Sequence, residues 1–204
     1  NQLETWVTQL KRSISNVRFK AKNWPNSTDE FFFISSSLSP LMEKKLQLRL
    51  GQKPKLWERV SVPQVALDIK MRQWMIDEHD IFDKFSTIVN WMIPRHMPAA
   101  YLEGYKSLSD CFQKLPWPER PRCIFTSTAY SADDFFKAWA AKKTENGIPL
   151  VIGQHGGNFG MAQWSFQEEH QISVADAFIS WGWSDEKKPQ IVPVGNLKAF
   201  DRPV

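Results

Sequence analysis

The sequence predicts an α/β protein: a Rossmann-like parallel sheet with flanking helices and a helix-rich middle segment. Three observations carry this prediction. Residues 122–128 read as a strand, residues 131–140 as a helix and residues 148–153 as a second strand, a unit whose length calls for a right-handed parallel crossover. Two further β-prone runs, 177–181 and 191–194, continue the alternation and predict a doubly wound layer. Finally, the proline-rich stretch 116–121 (Pro-Trp-Pro-Glu-Arg-Pro) divides this half from a region whose apolar spacing is helical. The expected organisation is a helix-rich part with one short strand over residues 1–118, packed on the same domain, and a Rossmann-like part over 119–204.

The elements follow in order. Leu3, Trp6, Val7, Leu10, Ile14 and Val17 lie on one face of an amphipathic helix over residues 2–17, with Lys11 and Arg12 on the other. Residues 23–40 read as turn, buried strand (Phe31, Phe32, Phe33, Ile34) and serine-rich turn. The glycosylation sequon Asn26-Ser27-Thr28 is expected to be a chance match, since no export signal is expected. A short helix over 41–50 closes at Gly51. A long helix is expected from about residue 64 to 92, ended by Pro94, and another from 99 to 115, ended by Pro116. Trp74, Met75, Trp91 and Met92 recur there where packing needs bulk, so a core role is expected. Ser131 provides an N-cap, Asp133 and Asp134 suit the positive end of a helix dipole, and Gly147 is the stop.

Composition fits an ordinary globular chain: 204 residues, 42% hydrophobic, 24% charged, net charge +4. No apolar run approaches the ~18 residues of a membrane span, and the first residues do not resemble a signal peptide, so a cytoplasmic protein is expected. Cys111 and Cys123 are too few for a disulfide framework or a thiolate zinc site and read as buried thiols. Charge is uneven: residues 1–60 hold 11 Lys or Arg against 5 Asp or Glu, a surplus of 6. Such a surplus draws anionic partners, including a diphosphate or a lipid surface, which allows peripheral contact with the inner membrane. Nucleic acid is not expected, because neither a zinc-finger spacing nor an aromatic RNA-binding signature is present.

Chemistry concentrates in Gly153-Gln154-His155-Gly156-Gly157-Asn158-Phe159-Gly160, predicted at the C-terminal end of a strand. Glycine-rich backbone can lie close to a ligand, and ligands of open α/β sheets bind at that edge. His155 has the side chain whose ordinary pKa, about 6.5, suits proton transfer near neutrality. The loop lacks the Gly-Lys-Ser/Thr ending of a phosphate loop and the glycine spacing of a dinucleotide fingerprint, so ATP hydrolysis and nicotinamide chemistry lose support. Glu169 and His170 are placed to pair with His155, and Trp183, at the same predicted sheet edge, to face a cleft. No helical zinc spacing such as His-Glu-x-x-His occurs, and no metal is expected.

Residues 147–160, Ser180-Trp181-Gly182-Trp183-Ser184-Asp185 and Pro193-Val194-Gly195-Asn196-Leu197-Lys198 together resemble sugar transferases encoded with bacterial O-antigen and capsule genes. The likeness is strong over residues 120–198 and looser before. It implies half of a two-domain glycosyltransferase of the GT-B kind: the acceptor-binding half, with the C-terminal donor-binding domain absent. The implied reaction moves a sugar from a nucleotide-activated donor to a surface-polysaccharide or lipid-linked acceptor, with no cofactor beyond the nucleotide sugar. His155 is the first candidate to deprotonate the acceptor hydroxyl and Glu169 the second. Gln154, Gly156, Gly157, Asn158, His170, Trp183 and Lys198 are the candidate substrate-binding residues. Two alternatives remain open on the sequence: a non-catalytic carbohydrate or anionic-lipid binding module, and a hydrolase pairing His155 with Ser127 or Asp133.

Overall fold

A computed structural model describes residues 30–61, 65–75, 83–112 and 114–199. The expected helix over 2–17, the turn at Trp24 and the sequon lie outside these. The sheet has five parallel strands: β1 (Phe31–Phe33), β2 (Cys123–Thr126), β3 (Leu150–Gly153), β4 (Ala177–Ser180) and β5 (Ile191–Pro193). Helices α1 (Pro40–Arg49), α2 (Lys84–His96), α3 (Tyr105–Phe112), α4 (Ala129–Ala132), α5 (Asp134–Thr144) and α6 (Phe166–Ser173) complete it, with short 3₁₀ turns at Ile69–Arg72 and Ala99–Tyr101. The fold class is thus α/β and Rossmann-like. Strand order follows chain order, so among the described residues the reversal that defines a doubly wound sheet is absent.

The chain divides into two compact units: residues 1–59, 117–132 and 140–204 in the first, and 60–116 with 133–139 in the second. In the first, alternation along the strands puts Phe32, Ile124, Thr126, Ile152, Phe178 and Ser180 on buried positions, each fully covered. Register aligns Thr126, Ile152, Phe178 and Ile191 in one row across the sheet. Trp117 and Trp57 pack on Phe32 with ring centroids 5.4 and 5.3 Å away. Among the described residues β1 is an edge strand, and a side chain closes it at Phe31. Gln52 Oε1 accepts from Phe31 N at 2.7 Å and its Nε2 donates to Phe31 O at 2.9 Å, the two bonds of a β bridge supplied by an amide. Buried Gln47 repeats the device on Lys55, accepting from its N at 2.8 Å and donating to its O at 2.9 Å.

The second unit corrects the expected long helices. Residues 65–68 and 73–75 are not helical, because Asp68 turns its carboxylate onto Lys70 N at 2.9 Å and starts a 3₁₀ turn instead. A new helix starts at Asp83, which caps Ser86 N at 2.8 Å, and runs through Pro94 to His96. Proline is tolerated in this last turn while Arg72 Nη1 donates to the carbonyls of Pro94, Arg95 and Met97 at 2.9–3.1 Å. The segment 99–115 likewise splits into a 3₁₀ turn and α3. Trp74, Met75, Trp91 and Met92 are 38–49% exposed, so the apolar spacing marks surface positions, and the expected core role is not met. In α5 the cap is Asp133, accepting from Phe136 N at 2.9 Å, two residues beyond the expected Ser131.

Arg72 also holds Glu103 in a two-pronged ion pair at 2.6 and 2.7 Å, both side chains under 10% exposed. These bonds hold the Glu103 carboxyl down to about 2, against an ordinary 4.5. A carboxyl depressed in the fold stabilises it above the unfolded-state value, and the contribution is lost as pH falls toward 2. Acid unfolding followed by tryptophan fluorescence should show this loss, and Glu103→Gln should remove the corresponding part of the pH dependence.

Candidate functional site

Because all five strands are parallel, the loops that leave their C-terminal ends gather along one edge of the sheet. Five segments meet there: residues 35–37 after β1, 127–128 after β2, 154–160 after β3, 181–183 after β4 and 194–198 after β5. Ser127 ties the first two together, donating its N to Ser35 O at 2.9 Å and its hydroxyl to Ser36 O at 2.7 Å. Fully buried and committed in this way, Ser127 is not a free nucleophile, which removes the support for a hydrolase built on it.

Gln154, 1% exposed, organises the loop after β3. Its Oε1 accepts from Trp181 N and Trp183 Nε1, both at 2.9 Å, and its Nε2 donates to Gly156 O at 2.6 Å. Its carbonyl accepts from Trp181 Nε1 at 3.0 Å. A single side chain therefore pins the loop after β3 to the loop after β4. Two glycines are required by space. A Cβ on Gly153 would lie 2.8 Å from Phe125 Cζ, and one on Gly160, whose φ is +79°, would lie 2.7 Å from the Trp183 ring. Gly160→Ala combines that clash with a left-handed backbone and should destabilise the fold by roughly 2 kcal/mol, read by urea unfolding.

His155 follows directly. Its ring is half-buried and meets Phe159 edge-on at 5.1 Å, and its Nδ1 is buried with no well-aligned hydrogen bond. Its carbonyl accepts from Lys198 Nζ at 2.7 Å. Burial, and then the Lys198 cation, lower the His155 pKa below the ordinary 6.5, against a smaller opposing effect of the Ser127 main chain. The imidazole is accordingly a neutral base near pH 7.

The other sequence-selected residues fall into groups. Gly156, Gly157 and Asn158 share the His155 loop, Gly157 and Asn158 being exposed. Trp183 is half-buried, its ring tilted against that of Phe178 at 5.8 Å, and its carbonyl is held by the Ser180 hydroxyl. Gln154 and Trp183 thus act first as loop framework. Glu169 is exposed in the first turn of α6, where it is neighbour to Glu168, which accepts from Gly160 N at 2.5 Å. His170 stacks on Phe166 at 6.1 Å and lies 6.0 Å from Tyr130, ring to ring. Its partners are these aromatics rather than His155. The thiol of Cys123, half-buried rather than fully so, is raised to about 11 by burial and by Asp176, and stays protonated. Among the described residues no group of three or more His, Cys, Asp or Glu converges as a metal site.

Sequence reasoning missed Arg59. Its Nε donates to Ser35 Oγ at 2.7 Å and its Nη2 to Thr128 Oγ1 at 3.0 Å, so a cation bridges the loops after β1 and β2. Ser35 and Ser37 have φ of 49° and 59°, a left-handed conformation that non-glycine residues rarely adopt. The serine cluster carried a turn signal, but nothing in the sequence near Arg59 announced a contact across 69 residues.

Among the described residues no helix is long and apolar enough to cross a membrane. A family model described as LIC12162 family transferase matches residues 1–203. No curated protein and no solved structure matches the chain significantly.

Proposed function

Since the chain belongs to the LIC12162 transferase family, we propose that the group it transfers is a sugar, taken from a nucleotide-activated donor and delivered to a surface-polysaccharide or lipid-linked acceptor. In this reading the strand-end loops form the acceptor side of a GT-B-like enzyme of the O-antigen or capsule type. One observation carries it: a half-exposed histidine with a lowered pKa, fixed in a glycine-rich loop at the C-terminal end of the central strand β3.

The acceptor hydroxyl gives its proton to the His155 imidazole as its oxygen bonds to the anomeric carbon. The bond from that carbon to the donor's phosphate oxygen breaks, and the nucleoside diphosphate leaves with the electron pair. Glu169 is the second candidate for the base. Gly156, Gly157 and Asn158 supply amide donors that orient the acceptor. No metal or cofactor is part of the proposal, and binding at the inner face of a membrane would bring the enzyme to lipid-linked acceptors.

The test is a panel of nucleotide sugars offered to the full-length protein with glycan and lipid-linked acceptors, with products read by mass spectrometry. A glycosylated acceptor and stoichiometric nucleoside diphosphate are expected. Transfer of a different group, or binding of acceptor without turnover of any nucleotide sugar, overturns the reading, and the latter result favours the binding-module alternative.

A further inference from the structure

Among the described residues, two cations at the strand-end edge stand without counter-charge. Arg59 is anchored by hydroxyls on the loops after β1 and β2, and Lys198 by the His155 carbonyl on the loop after β3. Among the described residues neither pairs with a carboxylate. Both are exposed. The hydroxyls take only part of the Arg59 guanidinium, and the carbonyl takes one of the Lys198 N–H groups, so each cation retains donors for a ligand. Neighbouring strands are spaced by about 4.8 Å, and β2 and β3 are neighbours. The anchor of Arg59 on Thr128 and the anchor of Lys198 on His155 therefore sit on adjacent loops.

Left-handed backbone at Ser35 and Ser37 adds a second observation. Non-glycine residues hold such conformations where the surroundings over-determine them, and these positions collect at ligand sites. Here the strained turn presents the Ser35 hydroxyl that orients Arg59. An isolated cation gains little from a neutral hydroxyl. It gains far more when an anion completes the charge-assisted bonds.

We propose that Arg59 and Lys198 form a diphosphate-binding site at the loops after β2 and β3, next to the residue that carries the imidazole. Cations on adjacent loops match two linked phosphoryl groups better than one, and the oxygens held there would sit beside the acceptor hydroxyl that His155 deprotonates. The inference rests on the reading of this edge as the acceptor side. The diphosphate has two chemical sources, a lipid-linked acceptor or the nucleoside diphosphate of the donor, and the site recognises the group they share.

Titration calorimetry of the full chain at low salt, with inorganic pyrophosphate, a short-chain polyprenyl diphosphate and uridine diphosphate as probes, tests this. Pyrophosphate should bind, weaken steeply as salt rises, and lose about tenfold or more in affinity in Arg59→Gln and again in Lys198→Gln. Stronger binding of the polyprenyl compound assigns the site to the acceptor, and stronger binding of uridine diphosphate assigns it to the donor. Thr128→Val keeps the Arg59 charge while removing one anchor, and should bind pyrophosphate nearly as the natural protein does. Absence of pyrophosphate binding, equal binding by the Arg59→Gln/Lys198→Gln double variant, or a loss in Thr128→Val as large as in Arg59→Gln overturns the proposal. Pyrophosphate binding that survives while no sugar transfer is found removes the sugar-transfer reading and leaves the site. Transfer that persists without pyrophosphate binding removes the site and leaves the reading.

Discussion

His155→Ala is expected to slow sugar transfer by about 10²-fold or more, with the fold intact, if the imidazole takes the acceptor proton. The ring is half-buried and packs on one aromatic, Phe159, so its removal costs little packing and a lost rate would report chemistry. A pH profile separates this role from a positioning one. The base form persists below the ordinary histidine range because burial and Lys198 depress its pKa, so kcat/KM should fall only as pH drops through that lowered value. Lys198→Gln removes one of the two depressing influences and should move this acid limb upward, toward 6.5 but short of it, since burial is the larger cause. Near-normal transfer in His155→Ala rejects the assignment. A comparable loss in Glu169→Gln would transfer the role to Glu169.

Gln154→Ala should be the most damaging change to the edge itself. Truncation strands Trp181 N–H, Trp183 Nε1–H and the Gly156 carbonyl, which the amide satisfies together from a position 1% exposed. An orphaned buried polar group costs about 1–3 kcal/mol, and these three share one partner, so a total of roughly 2–4 kcal/mol is expected. Urea unfolding measures the loss. The two tryptophans that lose their partner are themselves the probes, and their emission should shift to the red before global unfolding as the loops after β3 and β4 separate. A Gln154→Glu protein retains the acceptor but not the Nε2 donor to Gly156, and should fall between the two. Unchanged stability and unshifted emission in Gln154→Ala would show that the bracket is not what holds the loops.

The strands were legible because each is a short apolar run bounded by proline, glycine or small polar residues, and the five runs recur at spacings that leave room for helices. Sequence placed β2, β3, β4 and β5 within two residues of their observed ends. It failed where a local side chain outbids helical periodicity. Asp68 and Asp83 each bond the main chain two or three residues on, starting new turns inside what the apolar spacing presents as one helix. Apolar spacing also says nothing of coverage, which is how exposed Trp74 and Trp91 came to look like core. At the site, the glycine-rich run and His155 announce themselves through local backbone chemistry. The bracket built by Gln154 and the bridge made by Arg59 join residues 27 and 69 positions apart, and no local pattern encodes such pairings.

The amide of Gln52, by satisfying both main-chain groups of Phe31, leaves that position of the rim with little to offer a stranger's backbone. Edges that carry free N–H and C=O groups recruit other chains and seed fibres. A glutamine folded onto Phe31 opposes such recruitment without proline or charge, so strand addition at that position would first have to evict it.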